Sequence, residues 1–150
     1  MSKLKNTEVI NTLKSLADRN AGVLFPTDVV KAAEPENSIL HKFFTWDNSE
    51  AAEKCRLQEA RQLINICVEY VGSEDHGRET RVFVSLRDDR QEGGYRALIS
   101  VLKNTTLRES LLMDSLEEMS FFREKYKGLK ELSMVFRAMD STEKKISKKK

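Results

Sequence analysis

From Leu112 to Met139 the apolar side chains Leu112, Leu116, Met119, Phe122, Tyr126, Leu129, Leu132, Phe136 and Met139 are separated by threes and fours. That spacing gathers them on one face of a helix, whereas a strand alternates its side chains with a period of two. A long helical stretch is therefore expected from the Asn104-Thr105-Thr106 cap to about Met139. A seam of this length outruns a single short neighbour, so it must pack on several other helices or pair with a second copy of the chain. Ser115, Ser133 and the many aromatics depart from a strict heptad and favour packing within the chain; the two uses are compatible. The residues expected at a homodimer interface are Leu112, Met119, Phe122, Tyr126, Leu129 and Phe136. Gly128 is the weak point, costing about 1 kcal/mol against alanine.

Three shorter helices are expected ahead of this one. Leu4, Val9, Ile10, Leu13 and Leu16 share a face, and Gly22 suits the left-handed position that closes a helix. Pro26, Thr27 and Asp28 suit a start that runs through Val29, Val30 and Ala33 to a stop at Pro35. Ser38 to Phe44 reads as a short turn of helix carrying Ile39, Leu40, Phe43 and Phe44, and Trp46 follows in a connection that leads into a capping box, Asp47 with Glu50, and a helix over 49–64. Its inward stripe is expected to include Ala52, Cys55, Ala60, Leu63 and Ile64, with Leu57 at the border. The period changes to two over 65–71, and the run 81–86 is expected to pair back on it as a hairpin that packs on helices. Residues 87–94 read as a charged connection ending in a flexible glycine pair, and helical period returns from Tyr95 to Leu102.

The fold class is thus mainly α with one β-hairpin, α+β. One domain is expected over 1–140, in lobes of about 1–64 and 65–140, followed by a disordered basic tail over 141–150. That tail carries five lysines against Glu143, a local +4 out of a net +2, which leaves −2 for the other 140 residues. A body so close to neutral lacks the basic balance of a chain that binds nucleic acid over its whole surface. No apolar run approaches the ~20 residues needed to span a bilayer, so no membrane partner is expected. Cys55 and Cys67 read as free thiols in a reducing compartment, and His41 and His76 are far apart in sequence with no paired Cys or His spacing around them, so no metal site is expected.

The lengths of the N-terminal helices suit a helix-turn-helix, or a winged variant with the hairpin as wing, but Thr27, Asp28 and Lys31 make a poor readout set because Asp28 repels phosphate. Residues expected to contact nucleic acid are Lys31, Lys42, Arg56, Arg61, Lys144, Lys145, Lys148 and Lys149. Asp88, Asp89 and Glu92 read as a solvated acidic loop ahead of a metal site, and Gly93-Gly94 lacks the following Lys-Ser/Thr of a phosphate loop. Ser85, Ser100 and His76 show no nucleophile-and-base spacing. No catalytic residue, cofactor or metal is expected.

The stretch His41-Lys42-Phe43-Phe44-Thr45-Trp46-Asp47, with Ala51-Ala52, Arg56 and Ala60-Arg61, resembles a pattern of small proteins of bacteriophages and prophages. The resemblance continues through Val82-Phe83-Val84-Ser85-Leu86, Gly94-Tyr95-Arg96-Ala97-Leu98, and Phe122, Lys125-Tyr126 and Leu129, so it spans roughly residues 10–140. It implies a phage accessory protein in the cytoplasm of a bacterial host, and carries no catalytic residue across. The leading expectation is a non-catalytic protein that binds nucleic acid or a nucleoprotein complex. The alternative is a module or inhibitor that engages a host or phage protein and dimerises through the C-terminal helix.

Overall fold

The structure is a computed structural model and describes residues 4–46, 50–71 and 78–148. Asn6 opens α1 (Thr7–Arg19) by accepting from the amides of Glu8 and Val9, donors that a helix start leaves without partners. Leu4, expected inside this helix, is extended: its amide donates to Ile66 O at 2.8 Å and its carbonyl accepts from the Val68 amide at 3.0 Å. Ala21 and Gly22 take positive φ and close α1, with the Gly22 amide returning to Ala17 O. Pro26 begins α2 (Pro26–Ala33), and a short 3-10 turn, His41–Phe43, leads toward α3 (Glu50–Ile66). The capping box expected of Asp47 and Glu50 lies outside the described residues.

Along α3, Ala52, Ala60, Leu63 and Ile64 are buried as their spacing requires, while Cys55 is exposed and does not belong to the inward stripe. Helix α3 continues through Ile66, so the first strand, β1 (Val68–Val71), starts later than the alternation from residue 65 indicates. It pairs antiparallel with β2 (Arg78–Arg81), Val68 opposite Arg81. Only the start of the run 81–86 continues that hairpin. Val82 donates its amide to Cys67 O and accepts from Leu98 N, and beyond it β3 (Phe83–Val84) pairs with β4 (Arg96–Ala97) in a second two-stranded sheet. One buried valine thus hands the chain from one sheet to the other.

The segment between β3 and β4 is no flexible connection. It forms a short helix, α4 (Arg87–Arg90), and returns through Gly93 at φ +73 to a buried Gly94. Gly94 donates to Asp89 O at 2.8 Å, and a Cβ there would stand 2.6 Å from Val23 Cγ1, closer than atoms pack. Next to it, Leu24 and Tyr95 exchange two backbone bonds, tying the first third of the chain to β4.

These closures assemble one core from both stretches expected as lobes: Val9, Leu13, Leu24, Val29, Leu40 and Ile64 pack with Cys67, Val82, Phe83 and Ala97. Each fully buried large side chain contributes roughly 1.5–3 kcal/mol. Helix α5 (Leu98–Lys103) adds Val101, the last buried apolar residue among those described. Beyond it come α6 (Thr105–Tyr126) and α7 (Ser133–Ser147), so the expected long helix is divided at Lys127-Gly128, where the Leu129 amide returns to Tyr126 O. Helix α7 runs to Ser147, into the stretch expected as a disordered tail.

Candidate functional site

Helix α6 is ~33 Å long, and the side it buries changes halfway. In its first half Leu107, Ser110 and Leu111 are half-buried and Asp114 is buried; in its second half Leu116, Met119, Ser120, Arg123 and Tyr126 are half-buried. At 100° per residue these two sets point in nearly opposite directions. The first half lies on the body, and the second half meets α7. Arg123 pairs with Asp140 and approaches Glu143 at 3.9 Å, and the Phe122 and Phe136 rings meet edge-on at 6.4 Å. An unbroken helix would hold residues 123 and 140 ~25 Å apart, so α6 and α7 fold back on each other as a helical hairpin, an arm on the body.

The joint between arm and body is polar. Asp114, 6 % exposed, is the one buried residue of α6; its Oδ2 accepts from the Arg87 amide and from Arg90 Nη2, each at 3.1 Å. Arg87 reaches on to Glu117. A second buried carboxylate stands behind this joint: Asp89 accepts from Arg96 Nε at 2.6 Å and Nη2 at 2.8 Å, and that bond, ahead of nearby carboxylate charge, holds Arg96 still more firmly protonated. Asp89 is therefore a fixed ion-pair partner and no member of a solvated loop. Between arm and body lies a cleft of about 380 Å³, lined by Arg81, Ser85, Arg90, Asp114 and Glu118 over Phe83 and Leu111.

The outer surface of the arm carries large apolar side chains among its charged ones. Phe121 is 68 % exposed and Met134 79 %, and Leu112, Met113, Phe122, Leu129 and Val135 are also exposed. An apolar groove of about 240 Å³ runs where α5 meets α6, lined by Leu102, Arg108, Glu109, Leu111, Leu112 and Ser115. Of the residues expected at a dimer interface, Leu112, Phe122 and Leu129 are open to solvent, and Met119, Tyr126 and Phe136 are half-buried in the arm. Asp114, Met113, Phe121, Met134 and Val135 escape the sequence reading. Asp114 leaves a usable signal: it continues the face of Leu107 and Leu111, where a carboxylate must find a partner.

The residues expected to contact nucleic acid do not gather. Lys31 is exposed on α2 beside Asp28, which accepts from Asn20 Nδ2. Lys42 lies 5.4 Å from the Phe43 ring, and the Arg56 guanidinium lies 5.6 Å from the Trp46 ring. Trp46 stacks on His41 and donates to its carbonyl, so this aromatic set anchors the junction before α3, and Glu59 is taken up by Thr45. Arg61 is exposed on α3; Lys144, Lys145 and Lys148 are exposed at the end of α7; Lys149 lies outside the described residues.

Among the described residues no three His, Cys, Asp or Glu side chains converge as a metal set, and no helix is long and apolar enough to cross a membrane. His76 lies outside the described residues. Compared with known proteins, the chain matches no family model, no curated protein and no solved structure.

Proposed function

We propose that this is a non-catalytic interaction protein of phage type, acting in the cytoplasm of a bacterial host, in which the body over 4–101 carries a helical arm that docks on a macromolecular partner. One observation carries the reading: among the described residues no apolar side chain after Val101 is buried, although that stretch is rich in Leu, Met and Phe. Each large apolar side chain left in water forgoes roughly 1.5–3 kcal/mol. Large apolar side chains left exposed in such number on one arm mark a site of association. Photo-crosslinking side chains placed at Leu129 and Met134, with one at exposed Glu36 on the body as control, test it. Adducts concentrated at the arm positions are expected; arm positions that yield no more adduct than Glu36 end the reading.

A second reading, binding to nucleic acid or a nucleoprotein, draws on Lys144, Lys145 and Lys148, whose exposed ammonium groups suit phosphate contacts. Replacing the three by Gln should abolish retention on a DNA duplex at low salt and flatten its salt dependence. Retention that survives the replacement counts against it.

A further inference from the structure

We propose that the occupant of the arm is a second copy of this chain, its α6 laid antiparallel on the first, so that two hairpins close into a four-helix bundle. This deepens the docking reading and rests on it. Within α6 alone, Arg108, Leu112, Ser115, Met119, Phe122 and Tyr126 follow alternating gaps of four and three, the seam of paired helices. Leu112 at 41 % and Phe122 at 39 % are exposed, with Arg108 and Ser115 exposed beside them, while Met119 and Tyr126 are half-buried toward α7, so the seam is open along its outer edge.

Two further features select another copy over any other partner, and a third shows that surface is available for one. First, an antiparallel register centred on Glu117 sets Leu112 against Phe122 of the second copy, Ser115 against Met119, and Arg108 against Tyr126. The aromatic ring then enters the groove walled by Leu102, Leu111 and Leu112, and a twofold axis repeats the contact at the other end.

Second, charge is divided along the arm. Residues 105–118 carry one Arg against four carboxylates, −3, and residues 119–137 carry five bases against two carboxylates, +3. Antiparallel pairing lays each basic tip along the acidic root of the other copy, whereas a polyanion meets an arm of no net charge.

Third, the accessible surface is 10756 Å², against about 7,800 Å² for a compact monomer of 17.3 kDa. The excess of about 2,900 Å² exceeds the ~800 Å² per copy that a stable interface buries.

Light scattering on the purified full chain should give twice the mass of 17.3 kDa. Leu112→Asp or Phe122→Asp should each weaken association at least tenfold with helical circular dichroism retained, while Phe121→Asp, on the other flank of α6, leaves the dimer intact. A second measurement needs neither Asp variant. In a Cys55→Ser background, Leu112→Cys and Phe122→Cys chains should form a disulfide when mixed and neither should do so alone, because each residue lies ~15 Å along the helix from its own copy. A monomeric mass, disulfides formed by each variant alone, or a dimer lost with Phe121→Asp but kept with Phe122→Asp overturns the inference. A monomer whose arm still crosslinks to another macromolecule overturns the second copy and leaves the docking arm standing; a monomer without arm adducts removes both.

Discussion

Cys67 is enclosed where α3 meets β1, its thiol 3.1 Å from Leu63 O, and burial pushes it up to about 12 from 9.0. At neutral pH a maleimide should label exposed Cys55 and spare Cys67 until urea unfolds the chain, as mass spectrometry would register. Because the unfolded chain releases this proton near 9 and the native chain holds it to about 12, the Cys67 contribution to stability is complete below pH 9 and lost as pH rises toward 12. Urea midpoints should therefore fall less steeply over that window in Cys67→Ala. Gly94→Ala should cost about 1–3 kcal/mol, since its Cβ meets Val23, and Gly128→Ala should cost nothing measurable, with open space around it. Gly22 was legible as a helix end because a left-handed closing residue follows from local chain geometry. Gly94 was not, because its constraint comes from Val23, far away in the chain.

At the scale of elements, the joint of the arm rests on one carboxylate. Asp114→Ala leaves the Arg87 amide and Arg90 with a lost acceptor, a cost of about 1–3 kcal/mol. Hydrogen exchange should quicken in the first turns of α6 while α1 and α3 stay protected; uniform quickening throughout would place the joint inside the core instead. The helices themselves were readable, since their apolar spacing is local. The strand pairing was not: 81–86 has the alternation of one strand, and only the bonds from Val82 to Cys67 and Leu98 divide it between two sheets. The seam from Leu112 to Met139 reads as one face, yet α6 buries one side on the body and the other on α7, a division set by tertiary partners.

For the whole molecule, body and arm should answer to different conditions. Trp46 is the single tryptophan and sits at the junction before α3, so its emission reports the body. In urea the Trp46 transition should keep its midpoint in Phe122→Asp, while helical ellipticity gains an earlier, concentration-dependent phase in the native sequence. Transitions that coincide at every protein concentration would mean that the arm melts only with the body. What sequence conveyed at this scale was the presence of a seam needing cover and a chain close to neutral. Which charges gather at the tip and which at the root became readable only once the turn at 127–128 defined the two ends.

The two backbone bonds between Leu24 and Tyr95 carry a further consequence, for the order in which the molecule is born. Synthesis proceeds from the N-terminus, and α1 and α2 cannot seal their shared interior until Tyr95, Arg96 and Ala97 have left the ribosome. Only after that does α6 emerge, onto a finished surface, so nascent chains halted before residue 95 should be cut readily by protease and those carried past α5 should resist.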